Sequence, residues 1–234
     1  MATAIVPAII GERFADVAAK LKQLHGLVPW VQIDVVDGLF AMPASWPYRH
    51  KENIAELQAF LHSVPKLQVE LHLMQENPES AIDAWISSGA HRILLHVEST
   101  PQINAIIEHC EEGKIGFNGG SHVKIVASPA QAGVVLKLDT EVHELEQIAT
   151  PPKFIQLMSI ASIGSYGAVF DETVFAKIAK VRQRYPHARI SIDGGVTLAN
   201  APELIAAGVH QLVVGSAIWK SGTIAHAIRA FEHL

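Results

Sequence analysis

The chain has 234 residues, 49% of them hydrophobic and 18% charged, with a formal net charge of −5. That apolar fraction excludes an extended disordered protein, the acidic balance leaves no basic footprint for nucleic acid, and one cysteine excludes both an intrachain disulfide framework and a cysteine-based zinc module. No apolar run approaches the ~20 residues of a membrane span, and MATAIVPAII has no basic segment of the kind that opens a signal peptide. The expectation is a cytoplasmic protein with one large core, meeting neither membrane nor nucleic acid.

Short apolar runs alternate with longer amphipathic segments. The first run, Ala4 to Ile10, precedes a segment whose apolar Phe14, Val17, Ala18, Leu21 and Leu24 recur near 3.6 residues, the period of a helix with one buried face. Trp30 to Val36 is the second run, followed by a polar, proline-bearing stretch from Asp37 to Tyr48 and a helix through Leu61. The third is Leu67 to Leu73, with a helix from about Pro78 to Ser88 closed by Gly89. The fourth is Arg92 to Val97, with a helix from about Pro101 to Glu111. Two runs then compete, Val123 to Val126 and Val134 to Leu138; the second is taken as the fifth strand and the first as an extra one. Phe154 to Ile160 is the sixth, with a helix from about Asp171 to Tyr185. Arg189 to Ile192 is the seventh, before a helix capped by Thr197 and ended at Gly208. Gln211 to Val214 is the eighth, with a last helix from about Thr223 to Phe231.

Eight nearly continuous apolar runs, each followed by a helical pattern, read as parallel strands buried on both faces. No linker composition divides the chain, so the expected architecture is a single (β/α)8 TIM barrel over residues 1–234, with an insertion near 113–131. A doubly wound open sheet is the alternative that counting alone leaves standing.

In such a barrel reactive side chains stand at the C-terminal ends of the strands. The second run ends with Gln32, Asp34 and Asp37, the third with Glu70, His72 and Met74, the seventh with Asp193 and the eighth with Gly215 and Ser216. Residues two apart point to one side of a strand, so Gln32 pairs with Asp34, and Glu70 with His72. Singly, each has a plain explanation, an aspartate as turn former or helix cap, a histidine as a hydrogen-bonded mouth residue. Together, two carboxylates and an imidazole converge on one mouth from three strands. Gly194–Gly195 and Gly215–Ser216 follow the last two strands, where glycine turns hold phosphate on backbone N–H groups; Gly164 to Gly167 is a third such loop.

These stretches resemble the ribulose-phosphate 3-epimerase family along nearly the whole chain. The likeness is carried by VPAII, IDVVDG, LHLMQENPE, GAHRILLHVE, GVVLKLDTEVHELE, LMSI and, most specifically, IDGGVTLANAPELIAAGVHQLVVGSAIWK. The resemblance implies a ketose-phosphate epimerase in which Asp34 and Asp193 are the acid–base pair. It also implies a divalent metal ion (zinc, manganese, iron or magnesium) on Asp34, His72, Asp193 and the position of Gln32. The phosphate would rest on Gly194, Gly195, Gly215 and Ser216, with Met74 and Met158 lining the site and a homo-oligomer, dimer or higher, as the working form.

The chain departs from the family's pattern in several places. Gln32 replaces a metal-binding histidine, and a neutral amide is a poorer zinc ligand than imidazole, so metal binding is expected to be weak, altered or absent. Ala8 replaces a serine, the sixth loop is rebuilt as ASIGSYGAVF, and Lys137 stands where the family has asparagine at the end of strand five, which makes it a candidate substrate contact. Cys110 and His96 read as structural. Two further readings remain beside the epimerase: a non-catalytic or diverged phosphosugar-binding paralogue with an impaired metal site, and a related barrel lyase or decarboxylase. The second is disfavoured because Asp34-Val35-Val36-Asp37 lacks the lysine of that group's Asp-x-Lys-x-x-Asp motif.

Overall fold

The structure, a computed structural model, describes residues 3–116, 124–125 and 129–234. Eight parallel strands close into a barrel in chain order: β1 (Ala4–Ile9), β2 (Trp30–Val36), β3 (Gln68–Met74), β4 (Arg92–His96), β5 (Gln131–Leu136), β6 (Phe154–Met158), β7 (Arg189–Asp193) and β8 (Gln211–Val214), which returns to pair with β1. The open-sheet alternative is thereby excluded. Around them run α1 (Phe14–Leu24), α2 (Ala55–Leu61), α3 (Ile82–Ser87), α4 (Ile103–Glu112), α5 (Val174–Arg184), α6 (Ala201–Ala206), the short α7 (Ser216–Trp219) and α8 (Ile224–Glu232).

The helices sit as their periodicity dictates. Val17, Leu21 and Leu24 of α1, and Ile103, Ile106 and Cys110 of α4, form buried stripes at three- and four-residue spacing. At the start of α6 the Thr197 N–H donates to Asn200 Oδ1 at 2.8 Å, and the Asn200 N–H donates to Thr197 Oγ1 at 3.4 Å. This reciprocal pair closes the turn that leads into the helix.

Two expectations change. No α-helix follows β5; a 3-10 segment, Val142–Gln147, takes its place, and Pro151 and Pro152 bar it from continuing toward β6. The fifth strand also ends at Leu136, two residues short of the apolar run. The competing run contributes Lys124–Ile125, which pairs antiparallel with Lys114–Ile115 outside the barrel. The rest of the expected insertion, residues 117–123 and 126–128, lies outside the described residues. No helix among the described residues is long and apolar enough to cross a membrane.

Inside the barrel, polar side chains are stacked in layers. Near the N-terminal ends of the strands, buried Glu70 accepts from the Arg92 guanidinium and, at 2.6 Å, from Gln211 Nε2. The guanidinium lies 4.5 Å from the Trp30 ring centre and 3.9 Å from that of Phe154. Buried charge is tolerated only when so paired. One strand period higher, the alternation of β2, β3 and β7 lifts Asp34, His72 and Asp193 to the C-terminal mouth, with Asp34 beside His72 across β2–β3 and Met158 beside Asp193 across β6–β7.

Candidate active site

Ligand atoms of Asp34, His72 and Asp193, one from each, lie within 4.8 Å of one another, and His72 Nδ1 is 3.2 Å from Asp34 Oδ1 and 3.3 Å from Asp193 Oδ2. The Gln32 amide sits in their midst. Its Nε2 donates to Asp34 Oδ1 and Asp193 Oδ2, each at 2.7 Å, and lies 3.3 Å from His72 Nδ1. Asp193 Oδ2 also accepts from Gln156 Nε2 at 3.1 Å, and the oxygen of that amide accepts from Ser191 Oγ at 3.1 Å. Two carboxylates are thus held side by side by two amides and an imidazole.

The electrostatics follow from burial and closeness. Burial, reinforced by the charge of Asp193, raises the Asp34 carboxyl above its ordinary range against the hydrogen bonds of His72 and Gln32. Burial would lower the His72 imidazole, but Asp193 and Asp34 outweigh it and hold it at about 9. His96 goes the other way: burial takes it to about 4 against the pull of Glu98. A carboxylate pair with one member's affinity for protons raised suits proton transfer near neutrality.

Asp34, His72 and Asp193 open onto a cavity of about 50 Å³, whose wall also includes Met74, Met158, Gly194, Gly195, Gly215 and Ser216. The turn after β7 requires its glycines. Gly194 and Gly195 have φ of +118° and +63°, and a Cβ would fall 2.7 Å from Ile160 at the first and 2.7 Å from the Phe170 backbone at the second. Ser159 Oγ pins the turn by donating to the Gly194 carbonyl at 2.6 Å. At Gly215 a Cβ would stand 2.8 Å from the Tyr166 ring. The Tyr166 hydroxyl donates to the Ala8 carbonyl and accepts from the Ile10 N–H, both at 2.9 Å. The rebuilt sixth loop is thereby tied across to β1, beside the position of the absent serine.

Lys137 is not brought to this cavity. Its Nζ lies 3.7 Å from the centre of the Phe40 ring and lines a neighbouring cavity with Glu98, Glu76 and Asn77. The physical reason is the early end of β5 and the long loop after β2, which sets Phe40 between the ammonium and the histidines; Phe40 is 4.9 Å from His96. Cys110 is a buried thiol pushed up to about 12 by burial. Gln156 and Tyr166 went unread in the sequence. The alternation Gln156–Met158 was a signal for the first; nothing local signalled the second.

The residues present fit a divalent ion. Two carboxylate oxygens and an imidazole nitrogen form an oxygen-rich donor set. Gln32 Oε1, buried with no hydrogen-bond partner, becomes a fourth donor, and the third oxygen, when the amide turns over. With its nitrogen inward, the same amide occupies the middle of the set, so amide nitrogen and ion exclude one another.

A closed eight-stranded barrel with two carboxylates and an imidazole at its C-terminal mouth defines a barrel of the enzyme type. Among solved structures, 3-hexulose-6-phosphate synthase from Salmonella typhimurium superposes with a TM-score of 0.71 at 12% identity, covering 99% of this chain and 97% of that one. KGPDC from Streptococcus mutans gives 0.70 at 14% identity, covering 99% and 96%. At those identities the likeness is one of fold. The model of the ribulose-phosphate 3 epimerase family matches residues 4–219, and the chain belongs to that family of isomerases. It is 29% identical to the chloroplastic ribulose-5-phosphate-3-epimerase of Arabidopsis thaliana, over 97% of this chain and 75% of that protein. To the ribulose-phosphate 3-epimerase of Bacillus subtilis it is 28% identical, over 92% and 91%.

Proposed function

We propose that this chain epimerises a ketose phosphate at the carbon beside its carbonyl, with Asp34 and Asp193 moving the proton. The observation that carries the reading is the cluster itself: two carboxylates from β2 and β7 share one amide donor and face one cavity with the glycine turns after β7 and β8. One carboxylate removes the proton from one face of the carbon, leaving an enediolate. The other, protonated, returns a proton to the opposite face and inverts the centre. Atoms balance because the first carboxylate ends protonated and the second ionised, and the reverse reaction exchanges their roles.

Gly194, Gly195, Gly215 and Ser216 seat the phosphate, and Met74 and Met158 press against the apolar edge of the sugar. Asp34, His72 and Asp193, with Gln32 Oε1 turned inward, would hold a divalent ion, which when bound supplies Lewis-acid stabilisation of the enediolate oxygen. Gln156 and Gln32 keep the carboxylates apart and oriented. The family relationship supports a phosphorylated sugar as substrate; a homo-oligomeric form is the expectation that light scattering tests.

One observation favours a second reading, a phosphosugar-binding protein without turnover: the Gln32 amide nitrogen ties up both carboxylates. Incubation with pentulose and hexulose phosphates in D2O separates the two. Loss of the proton signal at the carbon beside the carbonyl, followed by NMR with and without added manganese, is expected for the epimerase. Tight binding of the same sugars with no exchange under either condition overturns it in favour of the binding protein.

A further inference from the structure

His96 and Glu98, at the end of β4, take no part in the proton transfer proposed above, yet they continue the site outward in an unbroken line. His72 Nε2 lies 2.9 Å from His96 Nε2, and His96 Nδ1 lies 3.1 Å from Glu98 Oε2. Glu98 Oε1 accepts the backbone N–H of Lys137 at 2.8 Å. Both imidazoles are fully buried, and their rings meet end to end, with centres 5.0 Å apart and planes 25° from parallel. The turn that follows β4 brings the Glu98 carboxylate back onto His96.

The direction of each hydrogen bond follows from chemistry. Ionised Glu98 only accepts, so His96 Nδ1 carries the hydrogen between them. A neutral imidazole with its hydrogen on Nδ1 has a lone pair on Nε2, and that atom faces His72 Nε2. Two lone pairs, or two hydrogens, at 2.9 Å would repel, so His72 carries a hydrogen on Nε2. The opposite nitrogen of His72, Nδ1, then points at Asp34, Asp193 and the Gln32 amide. Among metal-binding histidines the outer N–H is held by a carboxylate or carbonyl acceptor, which fixes tautomer and ring orientation. Here a second histidine stands between the carboxylate and the inner ring.

We propose that Glu98, acting through His96, is a positioning residue that keeps a hydrogen of His72 on Nε2, so that Nδ1, which donates to the two carboxylates while no ion is bound, is the nitrogen freed to face any divalent ion they hold. This rests on the reading of Asp34, His72 and Asp193 as the working cluster, but not on turnover. Replacing Glu98 by glutamine reverses the line. If the new amide keeps its oxygen on the Lys137 N–H, its NH2 faces His96 Nδ1. His96 then moves its hydrogen to Nε2, and His72 Nε2 must give up its own.

The test is imidazole 15N NMR on the full-length chain, metal-free and loaded with zinc, combined with zinc titration by calorimetry. Wild-type protein is expected to show His96 with its hydrogen on Nδ1. In Glu98→Gln the hydrogen moves to Nε2, and zinc binds about 10–100-fold more weakly. A wild-type His96 with its hydrogen on Nε2 overturns the proposal, and that measurement needs no variant to fold. A folded Glu98→Gln with an unchanged His96 tautomer, or with unchanged zinc affinity, overturns it too; if the wild type binds no zinc, the tautomers alone decide. Neither readout uses a sugar, so failure of the epimerase reading and failure of this one are told apart.

Discussion

Gln32 has two amide hydrogens and two carboxylate acceptors for them, Asp34 Oδ1 and Asp193 Oδ2. Its nitrogen therefore does for the carboxylates what a small cation would do, at no net charge. A histidine there offers a ring nitrogen that ligates a metal without first breaking two hydrogen bonds. Gln32→His is expected to tighten zinc binding by more than about tenfold, or 1.4 kcal/mol, and calorimetry on the apo-protein checks it; equal affinities would mean that the amide does not compete with the ion. The two aspartates make the complementary case. Asp34→Asn and Asp193→Asn each remove one proton carrier while keeping a hydrogen-bonding group of similar shape. Each is expected to lower turnover about 10²–10⁴-fold, and full exchange of substrate hydrogen in both variants would refute the two-carboxylate mechanism. Asp34, His72 and Asp193 were legible in sequence because each stands near or just past the end of an apolar run, and the period of two fixes its side. Gln156 had only its alternation with Met158 to mark it, and a lone amide inside FIQLM otherwise reads as one polar residue in a buried strand. Lys137 was misplaced because its setting depends on where β5 stops and on Phe40, from a loop with no periodicity.

The elements over the mouth explain why the cavity is small. A water needs about 10–15 Å³ measured in this way, so 50 Å³ holds only a few waters, and a sugar phosphate requires the cover to give. The loop after β6 carries that cover: Tyr166 packs on Gly215 and bonds to β1, while at Gly164 a Cβ would fall 2.9 Å from the Met42 carbonyl of the loop after β2. Tyr166→Phe deletes the two hydrogen bonds and leaves the ring. At about 1 kcal/mol net for each bond, the open population should rise by roughly 10–30-fold. Hydrogen exchange at the Ile10 amide, which donates to that hydroxyl, should accelerate accordingly. Exchange as slow as in the wild type would show that the ring alone holds the loop. The strands and most of the helices could be read beforehand from apolar period and glycine or proline punctuation. This closure could not, because it joins Ala8 to Tyr166 across 158 positions of sequence, and no local pattern encodes a contact of that span.

Closing the sheet removes its edges and makes the whole molecule depend on seams between neighbouring strands. At the N-terminal end, Glu70, Arg92 and Gln211 tie β3, β4 and β8 together. At the C-terminal end, Glu98 tethers the end of β4 to the residue that follows β5. Burial alone would raise the Glu98 carboxyl, but hydrogen bonds from His96, Thr140 and the Lys137 N–H prevail and hold it at about 2, against 4.5 for the free side chain. A carboxyl whose pKa falls on folding stabilises the folded state above its unfolded value, and that stability drains away as pH drops toward the folded value. At 1.36 kcal/mol per unit the contribution is about 3 kcal/mol at pH 7. It changes little down to pH 4.5 and halves, roughly, by pH 3. Urea unfolding of wild type and Glu98→Gln across that range is the measurement. The wild type should be the more stable at pH 7 by up to about 3 kcal/mol, and the gap should narrow only below pH 4.5. A gap that stays constant to pH 3 would mean that the carboxylate's charge does not hold this seam, and that shape and packing at the ends of β4 and β5 carry the closure.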